Sequence, residues 1–227
     1  MSESTWKTVV CLANSKKNNE RCIAGKEFSE KHYIGPWIRP VSERKGGAIS
    51  LNECTYCDGN PPQLLDIIKI PFKQNRPDLF QSENYLIEPS FKWKKVDTLD
   101  IKFLGAFCDN INSLWSINHS SHYGLNDQVP PECLDRISKS LFLIKPQKFF
   151  ITVQNEYERT KVRARFTYKE NDYKLAITDD RIERKFLRKN EGVYKINANP
   201  IYLCISLALP YKDNFCYKLC SSVIGLR

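Results

Sequence analysis

The residues of this chain best suited to chemistry are cations at regular spacings. Over residues 160–169, Val162, Ala164, Phe166 and Tyr168 fall on one side of a strand, and Lys161, Arg163 and Arg165 on the other. Such a strand packs one face on a core and shows positive groups about 6.6–7 Å apart, near the repeat of phosphates along a nucleic-acid strand. Arg181, Arg184, Lys185 and Arg188 follow at i, i+3, i+4 and i+7, one face of a helix. In Trp37-Ile38-Arg39-Pro40, alternation puts Trp37 and Arg39 on the same strand face, where they can hold a base and a phosphate or form an internal cation–π contact. These residues are the expected nucleic-acid-binding set. The plainer reading is a solvated surface balanced by acids such as Glu156 and Glu158.

Metal and catalytic groupings are thinner. Cys54-Thr55-Tyr56-Cys57 and His119-Ser120-Ser121-His122 offer two thiolates and two imidazoles, a donor set for tetrahedral zinc. The pairs lie farther apart than in a zinc finger and there is no second CxxC, so no metal or other cofactor is expected. General acid–base side chains cluster at His119, His122, Tyr123, Asn126 and Asp127, although Asx-turn and capping chemistry accounts for Asn126-Asp127 equally well. There is no glycine-rich phosphate loop, no Gly-x-Ser-x-Gly elbow and no His-Glu-x-x-His helix. A binding module is expected rather than an enzyme, with no catalytic residue assigned.

The elements that must position these groups are mostly strands. β-branched and aromatic runs predict strands over residues 5–13, 21–26, 34–41, 64–72, 85–87 and 91–96, broken by Gly25, Gly35-Pro36 and the polar stretch 14–19. Helix-like pieces are predicted at 109–115 and 131–138. Strands return at 141–144, 148–154, 160–168, 173–178, 201–207 and 216–224, with a helix over 180–189 capped by Thr178 or Asp179. No repeat of 20–50 residues is visible. The expected architecture is mainly β with minor helices: two tandem small β-barrels over 1–98 and 141–227, joined by a mixed connector over 99–140.

Composition narrows the setting. The net charge is +9, and residues 145–189 carry 13 Lys and Arg against 7 Asp and Glu, a concentration that favours a polyanion. The nine cysteines are scattered and several lie within apolar runs, as reduced thiols do. No apolar run is long enough to span a bilayer, and Met1–Lys7 lacks the pattern of a secretory signal. The expectation is a cytoplasmic protein with nucleic acid as partner and no membrane. A non-catalytic accessory subunit docking an acidic protein is the alternative, and an enzyme acting on nucleotides through the 119–127 loop the third reading.

Four segments carry a resemblance. They are Lys7-Thr8-Val9-Val10-Cys11-Leu12-Ala13-Asn14-Ser15 with Arg21-Cys22-Ile23-Ala24-Gly25-Lys26-Glu27; Gly35-Pro36-Trp37-Ile38-Arg39-Pro40-Val41-Ser42; Gly124-Leu125-Asn126-Asp127 with Ser140-Leu141-Phe142-Leu143-Ile144-Lys145-Pro146; and Ile205-Ser206-Leu207 with Cys216-Tyr217-Lys218-Leu219. Together they resemble a bacterial family of dual OB-fold domain proteins. The resemblance implies two OB-like barrels in tandem and makes oligonucleotide binding along a sheet face the expected activity. It carries no catalytic residues. The chain departs from the pattern at Asp127-Gln128 and Asp179-Asp180, where Asp-Arg and Asp-Pro are expected, which weakens a phosphate-binding role for the first of these loops.

Overall fold

A strand with bonding edges on both sides can belong to two neighbours at once, and this is how each half of the chain closes a ring. The computed structural model describes residues 4–17, 20–29, 31 and 33–226. They divide into two compact units, Met1–Phe107 and Cys108–Arg227.

The first unit holds β1 (Thr5–Lys17), β2 (Glu20–Phe28), β3 (Ile34–Val41), a one-turn helix α1 (Leu51–Cys54), β4 (Asp66–Asn75), β5 (Asn84–Ile87), β6 (Lys94–Thr98) and a 3-10 turn, Ile101–Phe107. Its strands run β1-β2-β3-β5-β4, and β4 returns to β1; β3 and β5 are parallel and the other ring pairings antiparallel. β6 is added beside β4. In β1, residues 5–10 pair with β4 and residues 9–17 with β2, with a bulge between Cys11 and Ala13 turning the strand from one neighbour to the other. Gly25 permits the close approach there, since a Cβ would sit 1.9 Å from the Val10 carbonyl oxygen. Val9, Cys11, Ile23, Ile38, Ile68, Ile70, Phe72 and Trp93 fill the ring.

The second unit holds β7 (Gln128–Val129), a 3-10 turn (Pro131–Arg136), β8 (Leu141–Ile144), β9 (Lys148–Glu156), β10 (Arg159–Tyr168), β11 (Asn171–Ile177), helix α2 (Asp180–Phe186), β12 (Gly192–Lys195), β13 (Tyr202–Leu207) and β14 (Cys216–Ile224). β8 pairs with β13 and β9 with β10, so β8 and β9 act as two halves of one strand, interrupted at Lys145-Pro146-Gln147. The ring then runs β8/β9-β10-β11-β14-β13, with β11 and β14 parallel and α2 between β11 and β13. β12 joins the free edge of β9 and β7 pairs with β14. The two units thus share one Greek-key ring, the OB topology, with a helix between its third and fourth strands. The chain is mainly β with minor helices, as its sequence predicts.

Several local expectations fail for physical reasons. β1 runs through Asn14-Ser15-Lys16-Lys17 because β2 pairs with that stretch out to Glu20. Residues 109–115 form no helix: Asp109 accepts from the Leu143 N–H, the Leu114 N–H donates to the Tyr173 hydroxyl, and the Tyr168 hydroxyl donates to the Ile111 carbonyl. The segment's polar groups are committed to the sheet rather than to one another. α2 stops at Phe186, three residues short of the predicted end.

Candidate nucleic-acid interface

Alternation in the second barrel turns Ile151, Val153, Val162, Ala164, Phe166 and Leu175 into the core, so their strand neighbours face outward. Register then decides which outward groups meet. Lys195 stands opposite Phe150, Phe150 opposite Arg165, and Arg165 opposite Lys174. The result is a row of three cations and one ring crossing β12, β9, β10 and β11, about 14 Å long at the usual strand spacing. Lys195 and Arg165 are exposed; Phe150 and Lys174 are half-buried. Among the described residues none of the three cations forms an ion pair. Like charges directly opposed on a sheet destabilise it, and Arg165 and Lys174 are such a pair. Burial first, then the charges of Arg163 and Arg165, hold the Lys174 pKa below the usual lysine value.

Arg163 belongs to the next row, and there the sequence expectation is corrected. Its side chain is buried, with Nε donating to Glu156 Oε1 at 2.5 Å and Nη2 to Oε2 at 2.8 Å, while Nη1 lies 3.5 Å from Asp127 Oδ2. Burial alone would raise the Glu156 pKa, but the hydrogen bonds and charge of Arg163 outweigh it and hold the carboxyl below its ordinary value. Two carboxylates thus close Arg163 off from a phosphate. The β9–β10 hairpin returns Glu156 to it, through a two-residue turn at Tyr157-Glu158 with positive φ at both positions.

Asp127 is held for the same purpose. Ser121 donates to it from N–H at 2.7 Å and from Oγ at 2.6 Å, and a Cβ on Gly124 would lie 1.9 Å from its Oδ2. Lys218, fully buried, donates from Nζ to the Ser116 and Asn126 carbonyls, and desolvation pushes its pKa down to about 7 against the raising effect of Asp127. The loop also pairs with the sheet through Leu125 and Lys174. Asn126 and Asp127 therefore act as loop-fixing residues. His119 is half-buried, and His122 is exposed with its ring edge-on to Tyr123 at 4.6 Å.

The other predicted cations separate. Lys161 is exposed on β10, opposite Gln154. On α2, Arg181 is bound by Asp179 at 2.9 Å and Arg184 by Asp180 at 3.0 Å, so two members of the stripe are balanced at the helix start. Lys185 is exposed, and Arg188 lies beyond the helix end. In the first barrel Trp37 is 6% exposed, beneath Lys26 Nζ at 5.4 Å from its ring centre. Arg39 pairs with Glu83 at 3.2 Å, so Trp37 and Arg39 are not presented together for a ligand. The corresponding face of the first barrel, Val10, Lys26 and Trp37 in register, is buried.

Of the zinc donors, Cys54 is buried and its thiol is pushed up to about 11 by burial, while Cys57 is exposed. Cys54 and Cys57 belong to the first unit, His119 and His122 to the second, and among the described residues no three His, Cys, Asp or Glu side chains group as a metal centre requires. Among the described residues no helix is long and apolar enough to cross a membrane.

Sequence reading missed Phe150, Lys174 and Lys195. Each lies on an alternating strand, but only register joins them, and β12 itself carries no strong strand signal. A family profile described as Dual OB-containing domain matches residues 7–223. No curated protein and no solved structure matches the chain.

Proposed function

We propose, from the premise that this chain belongs to the Dual OB-containing domain family, that it binds single-stranded nucleic acid with low sequence specificity across the outer face of its second barrel. The observation that carries this reading is the Lys195–Phe150–Arg165–Lys174 row. OB barrels commonly bind oligonucleotides along the face of their second and third strands. Here those strands are β10 and β11, which hold Arg165 and Lys174. Lys195, Arg165 and Lys174 neutralise phosphates, and Phe150 offers a surface on which a base of any identity stacks. Lys161, two rows away toward the β9–β10 turn and beyond the enclosed Arg163, extends the track; Lys185 and Arg188 add charge beside α2. Arg163, Arg181 and Arg184 contribute to shape rather than to contact, because carboxylates already hold them.

The test is fluorescence-anisotropy binding of labelled single-stranded DNA, single-stranded RNA and duplex over a salt series. With about −0.7 in log–log slope per phosphate on a single strand, three contacts give about −2, and Arg165→Ala/Lys174→Ala brings it to about −0.7. Phe150→Ala weakens binding by roughly tenfold with little change in slope. An affinity independent of salt, or binding indifferent to the double variant, overturns the assignment. No binding to any of the three nucleic acids points instead to an acidic protein as the partner of the same row.

A further inference from the structure

A second feature of the C-terminal unit lies outside that row. Trp115 has φ +57°, a left-handed backbone that a bulky residue adopts only when its surroundings enforce it. Two contacts hold it there. Its Nε1 donates to the Lys139 carbonyl at 2.7 Å, and its ring lies 4.7 Å from that of Phe142 at an interplanar angle of 40°. Beside these rings is a cleft of about 300 Å³, lined by Trp115, Phe142, Ser116, Cys133, Arg136 and Lys139 among others. Both rings are half-buried, Arg136 and Lys139 are exposed, and among the described residues neither cation forms an ion pair. The lining thus brings two aromatic rings together with Ser116, Ser138 and two exposed cations.

We infer that this cleft takes a nucleobase bearing a phosphate monoester, as a free nucleoside monophosphate or as the phosphorylated end of a strand. A cleft of this volume is at the small end of ligand sites, which are mostly apolar with a few placed polar groups. An aromatic wall accepts a planar base through its face. A guanidinium supplies paired N–H groups that match a phosphate, and the lysine adds a point charge. The hydrogen bond to the Lys139 carbonyl and the contact with Phe142 keep the indole on this wall. None of the lining residues belongs to the sheet row, so the cleft is occupied independently of it.

The test is titration of the full chain with AMP, followed by tryptophan fluorescence and by calorimetry. Saturable binding is expected, with adenosine and ribose 5-phosphate each binding more weakly than AMP. Arg136→Ala/Lys139→Ala, which alters only exposed side chains, weakens AMP by roughly tenfold to a hundredfold. Trp115→Phe removes most of the fluorescence change. Arg165→Ala/Lys174→Ala leaves AMP binding unaltered, which separates this site from the proposed strand-binding row. A 5′-phosphorylated oligonucleotide binding more tightly than its hydroxyl-ended counterpart, with the difference lost in Arg136→Ala/Lys139→Ala, places a strand end in the cleft. No heat or quenching at about 10 mM AMP, together with no effect of a 5′-phosphate, overturns the inference, as does AMP binding that both cleft variants leave unchanged.

Discussion

At the scale of single residues, the chain uses arginine for two opposite ends. Among the described residues Arg165 forms no ion pair and stands beside Lys174, whereas Arg163, two positions earlier on the same strand face, is enclosed by Glu156 and Asp127. Removing one partner of a buried charge pair leaves the other uncompensated, at a cost of about 3–5 kcal/mol. Arg163→Ala is therefore expected to lower the urea stability of the second barrel by that order, and Arg165→Ala to change it little; equal effects would contradict the division of roles. Nothing in the alternation of 160–169 distinguishes these two arginines. What separates them is the return of Glu156 across a hairpin and the arrival of Asp127 on a loop, both long-range facts. Lys218 offers a second test. The unfolded chain keeps its lysine proton to near pH 10.5 and the folded chain releases it near pH 7, so the unfolded state binds more protons between those values and stability rises with pH through that window. Comparing wild type with Lys218→Met by urea unfolding from pH 7 to about 10, the rise should be confined to the wild type. A pH-independent difference would remove Lys218 as its source.

Among the elements, strands were readable and their partners were not. The predicted strands at 34–41, 141–144, 160–168 and 216–224 are all present, because period-two alternation with β-branched and aromatic residues is a local signal. Residues 109–115 mislead because their hydrogen-bonding groups are satisfied by Tyr168, Tyr173 and Leu143, far away in sequence. The candidate row is hidden for the same reason, since it is a property of the register of four strands. The two tight turns invite a direct test. Lys169 and Glu170 join β10 to β11 with φ of 47° and 67°, values that Asn and Gly adopt with less strain. Lys169→Asn/Glu170→Gly is expected to stabilise the protein by about 0.5–1 kcal/mol in chemical denaturation, and a loss of stability would show that these side chains have a role beyond the turn.

Across the whole molecule, one ring topology occurs twice in a sequence with no visible repeat. The first ring turns its leading strand with a bulge at Cys11–Ala13 and the second with Lys145-Pro146-Gln147, so the same corner is written in different residues. Closure needs only a strand that changes neighbour, and several local devices provide it. That is why the sequence pattern predicts two β-barrels but not their correspondence. The ring partners of β1 all lie between residues 20 and 87, and those of β8 and β9 between 159 and 224; neither ring borrows a ring strand from the other. On the ribosome, where domains mature in the order they emerge, the first ring has every strand it needs before the second has begun. An interruption of synthesis between the two therefore strands a finished barrel rather than an open sheet edge seeking a partner.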